Sequence, residues 1–249
     1  MTYTLYPSIL LSLLLGSQRD FREDSRRLVE RMQPKPELRG MENIPQYGPF
    51  LVTMNHYSRP GFLIVWAVMA ISSALPHNSI WLMTNAWTKR SGTPGDWLQT
   101  RLSKVILTRI AKVYGMVSTP AMPPVAEETA ERALSLRKLM KMLHEQPGAI
   151  VGLAPEGMDF PGGQLGKPAE GTGKMIWHTC QWLKQLVAVG VFEKNGQLVI
   201  QFGKPYRLSV TRYANDLDEK VIRQVMGRIA AQLPREMHGL YQTNTEMNQ

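Results

Sequence analysis

Short apolar runs, Phe50 to Met54, Ile80 to Thr84, Ala149 to Leu153 and Val187 to Phe192, recur along this chain with stretches of helical spacing between them. Runs this short bury as strands, and strands separated by helices return to one sheet edge through crossovers, which makes them parallel. The pattern therefore predicts an α/β fold: a mainly parallel mixed sheet flanked by helices, with an N-terminal helical lead. Helices are expected from Pro60, over Gly95 to Val113, over Glu127 to Glu145 with an apolar stripe of Ala133, Leu136, Met140 and Leu143, over Lys174 to Leu186, and over about Asp216 to Leu233. The mixed character comes from one place. Strand Gln197 to Phe202 follows Val187 to Phe192 across Lys194-Asn195-Gly196, and Asn-Gly signals a tight hairpin.

The 249 residues suit one large domain with an appendage rather than two domains, taking roughly 150 residues per domain as the guide. The expected boundaries are an N-terminal helical segment over 1–34, an α/β domain over 35–235 after the proline-punctuated connection Pro34 to Pro45, and a C-terminal tail over 236–249, loose from Thr243 on. With 43% apolar residues a full core is available, which excludes a disordered polymer. The single cysteine, Cys180, excludes a disulfide scaffold.

Basic residues outnumber acidic ones 29 to 20, a formal charge of +9. Nucleic acid, an anionic membrane surface and a small anionic substrate all answer such an excess, and composition does not choose among them. No run reaches the ~18 apolar residues of a membrane span. Ile9 to Leu15 lacks a preceding Lys or Arg and a small-residue cleavage site, so it is not read as a leader. Leu5, Tyr6, Ile9, Leu10, Leu13 and Leu14 recur at helical spacing ahead of Arg19, Arg22, Arg26 and Arg27. That suits a helix lying in the headgroup region of a membrane, and equally a helix capping the domain's own core. Phe62 to Leu75 reads as a buried helix.

The segment Gly48-Pro49-Phe50-Leu51-Val52-Thr53-Met54-Asn55-His56-Tyr57-Ser58 runs a buried strand straight into Asn55-His56. Ser58 and Pro60 have the chemistry to open the next helix. His56 is thereby placed at the carboxyl end of a strand, where open α/β sheets bind ligands.

Together with the lead-in Gly40-Met41-Glu42-Asn43-Ile44-Pro45, this block resembles the glycerophospholipid acyltransferase family, typified by 1-acylglycerol-3-phosphate acyltransferase, with its Asn-His-x-Ser motif. Gly148 to Gly157, ending in Pro155-Glu156-Gly157, is similar to the family's second block at the family's spacing, and Gly203-Lys204-Pro205 resembles its C-terminal block. The resemblance covers about Arg39 to Leu208. It implies an acyltransferase-like fold and a one-step transfer in which His56, as general base, takes the proton from an acceptor hydroxyl that attacks an acyl thioester. The implied co-substrate is acyl-CoA or acyl carrier protein, the acceptor a lysophospholipid or related lipid, and no metal or other cofactor is called for.

The chain departs from the family pattern at three points. The family's Asp lies five residues after the His, where this chain has Gly61; Thr-Arg usually follows Pro-Glu-Gly, where this chain has Met158-Asp159; and the middle block, Tyr114 to Pro120, lacks the arginine expected for an acceptor phosphate. A glycine cannot orient an imidazole. Glu156 and Asp159 are the candidates to replace the lost carboxylate, because the Glu156 turn is expected beside His56 in this fold. Asn55, Ser58, Pro155 and Gly157 complete the expected pocket, and Arg59, Lys167 and Lys174 are the candidate anion-binding groups, with solvated surface charge as the alternative for each. The alternative for the whole chain is a catalytically inactive lipid- or acyl-carrier-binding homologue.

The charge excess concentrates between Ala86 and Gly115, where Lys89, Arg90, Arg101, Lys104, Arg109 and Lys112 face Asp96 alone. At ~100° per residue Arg101, Lys104, Arg109 and Lys112 share one side of the expected helix, with Leu102, Ile106, Ile110 and Val113 on the other. An anionic membrane surface is the expected partner, met peripherally on the cytoplasmic face, and a plain solvated helix face is the competing reading. Nucleic acid is not an expected partner, since no recognition module accompanies the charge. The glycines of Gly162 to Gly166 do not have phosphate-loop spacing, and no Gly-x-Ser-x-Gly elbow is present.

Overall fold

The computed structural model describes residues 7–87, 94–212 and 215–241, without the side chains of 94–97. In chain order the elements are α1 (Pro7–Leu15), α2 (Phe21–Val29), β1 (Glu37–Arg39), β2 (Phe50–Met54), α3 (Ile64–Ala74), β3 (Ser79–Thr84), α4 (Pro94–Val113), β4 (Val117–Thr119), α5 (Thr129–Glu145), β5 (Ile150–Leu153), α6 (Thr172–Thr179), β6 (Gln185–Lys194), β7 (Gln197–Phe202) and α7 (Leu217–Ala230). The strands form one seven-stranded sheet in the order β1-β7-β6-β2-β5-β3-β4. Every pairing is parallel except the β6–β7 hairpin, which turns at Asn195-Gly196 with both residues at positive φ.

Alternation along the central strand assigns the layers. On β2, Phe50, Val52 and Met54 face a core shared with Ile9 of α1, Phe21 and Leu28 of α2, and Ala70 and Ile71 of α3, while Leu51 faces a second core with Leu139 and Leu143 of α5, Ile176 of α6 and Val225 of α7. Because β2 is buried on both faces, its run reads as continuously apolar rather than alternating. The α/β class with flanking helices holds as the sequence implies.

Several boundaries differ. The helix expected from Lys174 to Leu186 is α6, which ends at Thr179, and Leu186 instead pairs with Leu51 in β6 and with Tyr206. The helix expected from Pro60 begins at Ile64; Ser58 does not cap it, since Arg59 to Phe62 close a tight turn first and the cap position falls on Leu63. The last helix, α7, is shorter than expected at both ends. Two short strands, β1 and β4, carry too few residues to show a period and lie in stretches read as connections. Residues 235–241, read partly as tail, pack on the molecule: Leu165 N–H donates to Met237 O (2.9 Å), and Met237 is buried. Leu5, Tyr6, Lys89, Arg90, the side chain of Asp96 and the tail from Thr243 lie outside the described residues.

The N-terminal helix caps the core through Ile9 and Leu13, yet exposes Leu10, Leu11, Leu14 and Leu15. It is tied down from two sides. Arg109 of α4 donates through Nε to Leu13 O (2.6 Å), and Arg19 forms a two-pronged pair with the buried Asp24 (2.5 and 2.6 Å), which also accepts from Tyr114 Oη. The basic side expected of α4 is therefore partly spent: Arg109 is bonded to α1, and Lys104 lies 3.9 Å from Glu131. Leu102 and Ile106, expected on the helix's apolar side, are exposed together with Leu98 and Val105, while Leu107 and Ala111 take the buried positions.

Candidate active site

β2 and β5 are parallel neighbours with Thr53 opposite Leu153, so the segments leaving their carboxyl ends emerge side by side. Asn55-His56 leaves one and Ala154 to Gly157 the other. Asn55 continues the ladder with its side chain: Nδ2 donates to Val191 O (2.8 Å) and Oδ1 accepts from Val191 N–H (2.7 Å). The amide supplies one donor and one acceptor, as a backbone pair does, and holds the start of the His56 loop against β6.

Glu156, 2% exposed, binds the two loops together. Its Oε2 accepts from His56 N–H and its Oε1 from Gly166 N–H, both at 2.7 Å. Burial nevertheless pushes its carboxyl up to about 7, against the two backbone N–H donors that favour the ionised form. Glu156 thus braces the main chain of His56 and does not touch its ring.

Asp159 touches the ring. His56 Nδ1 and Asp159 Oδ1 are 2.6 Å apart, with the aspartate side chain 53% exposed and the imidazole 21% exposed. The hydrogen bond from His56 holds Asp159 below the usual carboxylate range, and a bond from the Ser58 side chain adds to it. An ionised Asp159 fixes the tautomer with the proton on Nδ1, leaving the Nε2 lone pair as the basic site. The position the family gives to Asp is otherwise engaged: Gly61, at φ +79°, sits in the turn closed by Arg59 N–H to Phe62 O (3.1 Å) and Phe62 N–H to Arg59 O (2.9 Å). Arg59 itself is drawn outward. Its Nε and Nη2 meet Glu193 at 2.5 and 2.6 Å, and Tyr57 Oη donates to the same carboxylate (3.0 Å).

A cavity of about 430 Å³ opens beside His56. Met54, Val68, Trp81, Met83, Leu136 and Leu153 supply much of its wall, which is largely apolar. Trp81 lies flat across Gly152, where a Cβ would come within 2.5 Å of the ring, and its Nε1 donates to Ser72 Oγ (2.9 Å). Pro155 and Gly157 line the cavity, as does Arg132 of α5. Lys167 and Lys174 do not: both are exposed, and the backbone N–H of Lys174 donates to Asp218 (2.8 Å). Among the described residues no group of three His, Cys, Asp or Glu could hold a metal ion, and no helix is long and apolar enough to cross a membrane.

Three participants escaped sequence reading. Glu193 ends a buried strand far along the chain from His56. Arg132 follows Glu128 by four residues, the spacing of an ordinary helical surface pair. Trp81 had a signal: a glycine inside a strand, here Gly152, marks a close approach by another group.

Among known proteins, a family model described as acyltransferase matches residues 35–191, which include both strand-end loops. No curated protein matches the sequence. Among solved structures, the chain is similar to the 1-acyl-sn-glycerophosphate (LPA) acyltransferase PlsC from Thermotoga maritima, at 14% sequence identity and a TM-score of 0.47, with 88% of this chain and 84% of that one covered.

Proposed function

Since the chain belongs to the acyltransferase family, we propose that it moves an acyl group from the thioester of acyl-CoA or acyl carrier protein to a hydroxyl of a lysophospholipid or related lipid, with His56 as general base. The observation that carries this reading is the 2.6 Å contact between His56 Nδ1 and Asp159, which restores a carboxylate–imidazole pair that Gly61 cannot supply.

Nε2 of His56 takes the hydroxyl proton as the acceptor oxygen attacks the thioester carbonyl. The C–S bond then breaks, the imidazolium returns the proton to the departing thiolate, and ester and free thiol leave. Asp159 stabilises the positive charge while it exists. Glu156 contributes by fixing the loop, and the apolar cavity has the lining to take an acyl chain.

Membrane association belongs to the same proposal. Leu10, Leu11, Leu14 and Leu15 of α1 and Leu98, Leu102, Val105 and Ile106 of α4 are exposed on two helices that touch. Monomeric proteins rarely leave so many large apolar side chains in water without a partner. A bilayer surface, reached peripherally from the cytoplasmic side, would cover them, with apolar contact contributing more than the partly spent basic residues. In liposome flotation, Leu14→Glu with Val105→Glu should abolish binding; unchanged flotation removes the membrane part of the proposal.

The catalytic part is tested with labelled acyl donor and a panel of hydroxyl acceptors. The native chain should form ester, and His56→Ala should lose about 10²–10⁴-fold in rate. Transfer that survives in His56→Ala overturns the mechanism, and no transfer to any acceptor favours a binding protein that keeps the fold.

A further inference from the structure

Arg132 stands out among the cavity's lining residues because it is a cation in a mainly apolar wall and its hydrogen bonding is incomplete. Nη2 donates to Ala121 O (2.6 Å) and to Glu128 Oε2 (3.0 Å). Nη1 reaches only the thioether of Met122, at 3.7 Å, and Nε is buried without a partner. A guanidinium carries five N–H donors, and a thioether is a weak acceptor. The side chain is 26% exposed, so water satisfies only part of the remainder.

The place of this corner matters. Met122 also lines the cavity and lies against the Glu156 turn, since a Cβ on Gly157 would come within 2.8 Å of its Cγ. The end of β4, Thr119-Pro120, lines the same cavity and brings no charge. Around Arg132 the acidic groups are few. Glu128 is its partner, Glu131 is engaged by Asn85 (2.8 Å) and lies 3.9 Å from Lys104, and Glu170 is an exposed member of the lining.

We propose that Arg132 is an oxyanion-binding residue, holding the anionic group of an amphiphilic acceptor whose chain lies along the cavity wall. The assignment rests on the acyl-transfer reading only in calling the ligand an acceptor. A phosphate or carboxylate supplies the acceptors that Nε and Nη1 lack, in the forked geometry a guanidinium matches. Met122 is the displaceable cover: its side chain is unbranched and flexible, so an oxyanion can take the place of its sulfur. Glu128 is the internal competitor, holding part of the cationic charge when no ligand is present.

Calorimetric titration of the full chain with decyl phosphate, decanoate and decanol, each below its aggregation concentration, tests this without requiring turnover. The native chain should bind at least one anionic probe about tenfold or more tighter than decanol, and the preferred anion identifies the group as phosphate or carboxylate. Arg132→Gln should bring that anion to the affinity of decanol while leaving decanol unchanged, and Arg132→Lys should keep part of the preference. Glu128→Gln, which releases the guanidinium from its competitor, should tighten the anion and not decanol; it keeps the test decisive if loss of Arg132 unfolds the chain. Anion binding that ignores both substitutions, or that weakens together with decanol binding, overturns the proposal. A chain that transfers no acyl group yet shows the Arg132-dependent preference would fail the catalytic reading and leave this one standing.

Discussion

The floor and the rim of the site are built on different principles. At the floor, Asn55 and Glu156 are buried and bonded to backbone groups of β6 and of the loops after β2 and β5. At the rim, Asp159, Ser58 and Arg59 sit in or near solvent and bond to other side chains. Backbone partners are fixed by sheet register, so the floor admits few substitutes. Side-chain partners at a rim can be supplied from any loop that reaches, and here a carboxylate three residues beyond Glu156 stands where one five residues beyond His56 is the family's habit. The difference teaches that a catalytic pair can change its origin in the sequence as long as the floor that positions the histidine stays.

The largest effect expected from breaking this arrangement is at the rim. Asp159→Asn keeps the shape and removes the charge, so turnover should fall by about 10²–10³-fold, less than the ~10⁴ of the buried protease triad because Asp159 is half exposed and water can stand in. Adding Gly61→Asp should not restore it. The backbone there is at φ +79°, and the nearest atom to a new Cβ is Nη1 of Arg59, so the new carboxylate would meet the guanidinium rather than the imidazole. Steady-state rates of the single and double variants decide the matter: full activity in Asp159→Asn breaks the interchange idea, and rescue by Gly61→Asp shows that the old position still reaches the ring.

The floor was legible in the sequence and the rim only partly, for the same physical reason. A strand such as Phe50–Met54, buried on both faces, must be apolar throughout, and the residues just after it must satisfy the end of the ladder, so Asn55-His56 and Pro155-Glu156-Gly157 stand out in sequence. Asp159 could be named as a candidate because an aspartate appeared in one block where the other had lost one. Its contact with Nδ1, rather than an ordinary place in a loop, depended on the path from Met158 to Gly166, which no period encodes. Arg59 was misread for a related reason. It lies within the histidine block, but its partner Glu193 is the next to last residue of β6, and only the fold brings a residue 134 positions away to it. The exposed leucines of α4 show a third limit: amphipathic spacing tells which residues share a side, and it does not say whether that side meets a core.

A smaller effect, in stability rather than rate, separates the two carboxylates by pH. Glu156 is raised in the folded state to about 7, so its contribution to stability is fully present below the ordinary glutamate range and is lost as pH rises through about 7. Asp159 is lowered, so its contribution is present above the ordinary aspartate range and is lost only on further acidification. The two windows do not overlap. Urea unfolding of the native chain and of Glu156→Gln, compared at pH 4.5 and pH 8, should show their stability difference shifting by on the order of 3 kcal/mol against the native chain at the higher pH. A difference that stays constant over that range would show that Glu156 remains ionised at the floor and that burial there is offset by its two N–H donors.

The smallest effect belongs to the outermost pair. Arg59 and Glu193 are joined by two short bonds, but the arginine side chain is 44% exposed, and pairs of this kind contribute about 0–1 kcal/mol. Arg59→Ala should therefore cost less than about 1 kcal/mol in urea unfolding. Its consequence for turnover is also expected to be slight, because the backbone bonds between Arg59 and Phe62 hold the turn without the side chain and Glu156 still fixes the N–H of His56. Glu193→Gln should behave alike, with Tyr57 Oη keeping an acceptor. If either substitution lowers kcat as far as Asp159→Asn does while leaving stability unchanged, the clasp on β6 orients the imidazole as strongly as the aspartate does, and the division between a fixed floor and an interchangeable rim would have to be drawn one residue pair further out.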